Sequence, residues 1–227
     1  MALCGLPFLI LSATGKLPKL FLVGDSIALQ YSPYLTKDLA HEYQVERKRN
    51  DSLANKNLDI PAGSNTGDSR RALEFFTSKE NDPSFAPDLV LLNCGLHDIK
   101  RNAADSSLSV SAEEYRSNLE RIYKIIHAKG IRLVWISSTP IDDKRHNEKT
   151  KSFKRYDADV VRYNAIAEAV FARYKVPVID LYTFTRNLGP DVYIDHAHYN
   201  EATREKQAAF ITDFLHAHQA ILKQKQN

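Results

Sequence analysis

The 227-residue sequence is poor in cysteine, with only Cys4 and Cys94. Two such distant thiols give neither a disulfide framework nor a Cys-x-x-Cys metal pair. Long apolar runs are also missing, and none approaches the roughly 20 residues that a membrane-spanning helix needs. A strong excess of charge of one sign is missing, with 31 Lys and Arg against 28 Asp and Glu. The formal net charge is +3, spread along the chain, which argues against nucleic acid as a partner. Internal repeats, flexible linkers and a second compositional regime are absent. What is present is ordinary for a globular domain: 43% hydrophobic and 26% charged residues. A chain of this length buries a substantial core.

The N-terminus has two readings. Met1 to Leu11 is mostly apolar, and Ser12-Ala13-Thr14-Gly15 is a run of small residues. This pattern fits a secretory signal over residues 1–15 with an Ala-x-Gly cleavage site, hence a secreted or periplasmic protein. No Lys or Arg precedes the apolar run, which counts against a signal; the alternative, ranked just behind it, is an N-terminal arm packed on a cytoplasmic domain. Residues 16–227 form the domain under either reading. Cys94 is expected to be an inert core thiol.

Apolar strand-like runs alternate with helical periodicity. Strands are predicted at Lys19–Val23, Gln44–Arg49, Asp88–Cys94, Ile131–Ile136 and Val176–Leu181. Gln44–Arg49 is polar and belongs near a sheet edge, whereas the apolar run at 88–94 reads as a strand buried on both faces. Helices are predicted at Ile27–Tyr43, with Pro33 in the first turn or at a kink, at Arg70–Phe76, and at Ser111–Lys129, which carries a Ser111/Glu114 capping box and a closing Gly130. Two more follow at Val160–Tyr174 and after Asn200. Asn50–Ser69 reads as loop, and the charged insertion Asp142–Arg155 as a solvated loop. Alternating strands and helices predict one α/β domain with a mostly parallel five-stranded sheet between two helical layers. Functional groups belong at the carboxyl ends of its strands.

Three motifs fall there. Gly24-Asp25-Ser26 follows the first strand, where a serine meets a helix N-terminus and its exposed N–H groups. Asn93-Cys94-Gly95-Leu96-His97-Asp98 ends the buried strand in a polar cluster. Asp195-His196-Ala197-His198 precedes the last helix. An Asp three residues before a His can hold one ring nitrogen and leave the other as an acceptor. Singly, each motif is common in turns, caps or polar loops.

Together, in this order and spacing from about Lys19 to Thr203, they resemble the SGNH hydrolases, also called the GDSL esterases. The resemblance implies a flavodoxin-like fold and a serine esterase that needs no cofactor or metal. It makes Ser26 the nucleophile, His198 the general base and Asp195 the group orienting it. The oxyanion hole is then Ser26, the loop glycine and the residue at position 97. Gly67 is the best match for that glycine, with Gly63 as rival. The sequence departs from the pattern at His97, where the family has Asn. An imidazole can donate one hydrogen bond there, and a lost donor is expected to cost roughly 100-fold in rate. Asn93 is a second possible donor, although within a strand it reads as structural.

Asp25, Asn93, Tyr193 and Tyr199 are assigned to substrate binding, with Tyr31 and Tyr34 near the same mouth. The expected substrate is a small-molecule or glycan ester with a short acyl group, such as O-acetyl on carbohydrate. The basic insertion raises the option of an anionic sugar. Other readings stand beside this one: a metal site built from Asp195, His196, His198 and His97, a non-catalytic glycan- or protein-binding domain, and acyl transfer by the same triad. Oligomeric state has no signature in the sequence.

Overall fold

The computed structural model describes residues 16–219, so the leader or arm expected at 1–15, with Cys4, lies outside the described residues. In chain order the elements are β1 (Lys19–Val23), α1 (Ser26–Asp38), β2 (Gln44–Arg47), α2 (Asp51–Ala54), α3 (Ser69–Lys79), β3 (Leu89–Leu92) and β4 (Arg101–Asn102). They continue with α4 (Ala112–Ala128), β5 (Arg132–Ile136), α5 (Asp143–Lys149), β6 (Phe153–Lys154), α6 (Asp157–Arg173), β7 (Val178–Ile179), α7 (Leu181–Arg186) and α8 (Glu201–Ala217).

Five parallel strands form the main sheet in the order β2-β1-β3-β5-β7. This is the flavodoxin-like order expected of the chain. The apolar run of β3 is central and buried at all four residues. The polar β2 is an edge strand. α1 and α7 pack on α8, while α3 packs on α4 and α4 on α6, so helices cover both faces of the sheet. The chain leaves β1 for β2 on one side and returns as β3 on the other. The carboxyl ends of β1 and β3 therefore border the crevice where parallel sheets accept ligands.

Helix ends follow the expected chemistry. Ser111 caps α4 by accepting the Glu114 N–H at 3.1 Å, and Gly130 closes it with φ +68°. Asn200 caps α8 through the Thr203 N–H. Other boundaries differ from the prediction. α1 stops at Asp38 and carries Pro33 inside rather than in its first turn. Proline cannot donate to the carbonyl four residues back, and the Ser32 hydroxyl bonds that Leu29 carbonyl instead, at 2.9 Å. α7 was not anticipated.

The largest correction concerns the insertion expected to be a solvated loop. It folds into α5 and β6, and β6 pairs antiparallel with β4. His146 and Arg155 within it are buried. Its stability comes from hydrogen bonds and ring contacts rather than an apolar stripe, which is why no periodicity announces it.

Candidate active site

Ser26 is the first residue of α1, directly beyond the carboxyl end of β1. Asp25 caps the helix by accepting the Ile27 N–H at 2.9 Å. A Cβ on Gly24 would collide with the Ala28 side chain, so the turn requires glycine. The Ser26 N–H, at a helix N-terminus, points its partial positive charge towards the serine's surroundings.

His198 reaches Ser26 from the loop before α8. Its Nε2 lies 2.8 Å from Ser26 Oγ, and its Nδ1 lies 2.7 Å from Asp195 Oδ2. The second Asp195 oxygen accepts the Ala197 and His198 N–H groups, each at 2.8 Å. Burial pushes the Asp195 carboxyl up, but the His198 hydrogen bond and charge, with these two amides, outweigh it and hold it well below its ordinary value. An ionised Asp195 accepts the Nδ1–H, which leaves Nε2 bare to accept the Ser26 hydroxyl proton.

The Gly67 loop is tied to the serine turn by the Thr66 N–H, which donates to the Gly24 carbonyl at 2.9 Å. Gly67 has φ +82°, and a Cβ there would lie 2.5 Å from Pro61. Gly63, the rival, packs on the Asn50 backbone. Two residues past Gly67, the Ser69 N–H donates to both oxygens of buried Asp98, at 2.9 and 3.1 Å. Burial raises the Asp98 carboxyl to about 7 against the opposing pull of the Ser69 donors.

His97 is buried, and its Nδ1 has no partner among the described residues. Burial, then the Lys100 and Arg155 charges, push the imidazole well below its ordinary value, with Asp59 opposing and His198 adding a smaller push the same way. His97 is therefore neutral and carries one N–H.

Several expected substrate contacts are occupied elsewhere. The Asn93 amide donates to the Ile136 carbonyl at 2.9 Å and ties β3 to β5. Asp25 is 1% exposed and spent on the cap. Tyr199 is fully buried, with its hydroxyl on the Pro140 carbonyl. Its ring stacks on the partly buried Tyr193, at 5.1 Å between centroids. Tyr31 is core, and Tyr34 donates to Glu201. Tyr31 and Tyr199 are thus buried in the core, while Tyr34 and Tyr193 stay partly exposed.

The residues considered for a metal do not converge. His196 packs edge-on against His146 at 4.4 Å and lies 6.2 Å, ring to ring, from His198, with its Nε2 3.5 Å from Asp59. Among the described residues, no group of three or more His, Cys, Asp or Glu is arranged to hold a metal ion. No helix among them is long and apolar enough to cross a membrane. Asp59 and Arg155, both beside this site, carry no motif that singles them out in the sequence. They come from a loop and from a charge run.

The model of the GDSL-like lipase/acylhydrolase family matches residues 22–216. A search of curated proteins found no match. Among solved structures, a lipase/acylhydrolase from Enterococcus faecalis superposes with TM-score 0.66 at 21% identity, over 93% of this chain and 100% of that one. A GDSL-like lipase from Bacteroides thetaiotaomicron gives 0.62 at 17% identity, over 88% of each chain. An acetyl xylan esterase gives 0.62 at 16% identity, over 87% of this chain and 99% of that one. These likenesses concern the fold. The match of the family model along almost all of the described chain decides the assignment: the chain belongs to the GDSL-like lipase/acylhydrolase family and is a carboxylic ester hydrolase.

Proposed function

We propose that the chain hydrolyses short-chain O-acyl esters, O-acetyl groups on carbohydrate among them, through an acyl-enzyme on Ser26. The observation that carries this reading is the unbroken hydrogen-bonded path Asp195–His198–Ser26. His198 Nε2 takes the Ser26 proton as Oγ attacks the ester carbonyl carbon. The carbonyl oxygen gains the negative charge, received by the Ser26 and Gly67 N–H groups and the His97 imidazole. His198 then protonates the leaving alkoxide. A water molecule loses its proton to His198, attacks the acyl carbon and restores Ser26. Asp195 stays ionised throughout and stabilises the imidazolium.

One point supports a short acyl group. An acetyl xylan esterase shares the fold.

The test is turnover of aryl esters of graded chain length by the parent chain and Ser26→Ala. Acetate and propionate esters are expected to react fastest, and Ser26→Ala to lose on the order of 10⁴-fold or more in kcat. Unchanged turnover by Ser26→Ala would sink the serine mechanism. No turnover of any ester by the parent would favour a binding role.

A further inference from the structure

Arg155 has no part in the chemistry above, yet it sits beside it. Its side chain is 2% exposed. A buried cation costs several kcal/mol unless it is paired and hydrogen-bonded, so each of its partners matters. Nη1 lies 3.2 Å from Asp59 Oδ1, in the loop between α2 and α3. Nε donates to the Leu96 carbonyl at 2.9 Å. The Phe153 ring packs on the guanidinium, 5.0 Å from its centre. Asn147 brackets the Arg155 backbone, accepting its N–H at 3.2 Å and donating to its carbonyl at 2.8 Å. The side chain is thus aimed from within the insertion, and its direction is set at both ends.

The Leu96 carbonyl and the His97 N–H belong to one planar peptide unit. Gripping the carbonyl fixes that plane, and with it the point from which the His97 side chain departs. The turn needs such a grip because Gly95 sits at φ +151°, open to conformations that other residues avoid. The same insertion holds the opposite side of the site. Arg145 donates to the Asp195 carbonyl at 2.7 Å, and the Asp142 N–H donates to the His196 carbonyl at 2.9 Å.

We propose that Arg155 is a positioning residue for the oxyanion side of the site, holding the Leu96–His97 peptide so that the His97 imidazole is pre-set against the developing negative charge. This rests on the reading of His97 as an oxyanion donor. The insertion is then a clasp across the site rather than a surface excursion. Arg155 acts through His97 and does not touch substrate. Burial above all keeps the ring neutral, and the Lys100 and Arg155 charges add to it.

A double-mutant cycle of Arg155→Met and His97→Ala, measured with an aryl acetate, separates this role from a structural one. Arg155→Met is expected to lower kcat by about 10- to 100-fold with little change in KM, because a misplaced donor is felt mainly in the transition state. In the His97→Ala background the same substitution is expected to cost less than about 3-fold, since coupled residues are non-additive. Arg155→Lys keeps the charge but loses the fork that spans two partners. It is expected to fold like the parent by circular dichroism and still lose kcat, and it replaces Arg155→Met in the cycle if that variant does not fold. Equal losses in both backgrounds would overturn the proposal, as would loss explained wholly by the unfolded fraction. If His97→Ala leaves kcat unchanged, the oxyanion reading of His97 fails, and this inference with it. If His97→Ala is impaired but the losses add, only the inference fails.

Discussion

His97 concentrates what is particular to this chain. An Asn amide always has N–H groups to offer, whereas an imidazole offers one only in a suitable tautomer. Burial and the Lys100 and Arg155 charges keep the ring uncharged, so under the proposed mechanism it is a neutral donor to the oxyanion. His97→Asn is therefore expected to retain or raise kcat/KM, and His97→Ala to lose roughly 100-fold, as for removal of one oxyanion donor. Because the ring sheds its proton well below its ordinary value, His97→Asn is also expected to leave the acid limb of the kcat/KM profile where it is. A limb that moves with this substitution would show that residue 97 titrates in the working range. Gly67 offers an independent check on the opposite wall. Its φ of +82° and the 2.5 Å approach of a Cβ to Pro61 predict that Gly67→Ala both lowers the melting temperature and reduces kcat.

Among elements, α4 and α5 mark the limits of what periodicity reveals. α4 was legible because Ser111, Glu114 and Gly130 mark its ends and Tyr115, Leu119, Ile122 and Ile126 form a buried stripe. Ser111→Ala is expected to cost about 1 kcal/mol through the lost cap, a fall of roughly 2–4 °C for a domain of this size. Ester turnover should not change, and melting curves with parallel assays check both halves. α5 has no such stripe. Its buried face is essentially His146, packed against Phe153 and His196, and β6 is two residues long. A charge run of this kind reads as solvated until its pairing partners are known. The same reason hid Arg155 and Asp59, whose relation spans 96 residues. By contrast, the grouping of Ser26, Asp195 and His198 was legible because a strand end and a three-residue spacing place them where hydrogen bonds join them. Tyr31 and Tyr199 proved to be buried, because an aromatic near a site in sequence is as readily a wedge as a wall.

Over the whole molecule, the sheet order brings three loops to one crevice, and one buried and two half-buried carboxylates tie them together with opposite consequences for stability. Asp98 joins the end of β3 to the start of α3 through the Ser69 N–H. Its carboxyl is raised from 3.8 to about 7, chiefly by burial. Between those values the folded chain keeps a proton that the unfolded chain has released, so this group withdraws stability as pH rises from about 4 to about 7. Asp195 and Asp59 run the other way. Hydrogen bonds and charge hold both well below the ordinary carboxylate value despite burial, and the stability they contribute is lost as pH falls below that value. Asp98→Asn keeps an oxygen to accept the Ser69 N–H and removes the buried charge. It is expected to melt above the parent at pH 8, with the gap narrowing towards pH 4, where Asp98 is itself neutral. Melting temperatures of both proteins across that range decide the matter. A gap independent of pH would show that the Ser69 donors offset the burial of the Asp98 carboxylate, and a gap that reverses in the parent's favour as pH rises would show that they outweigh it.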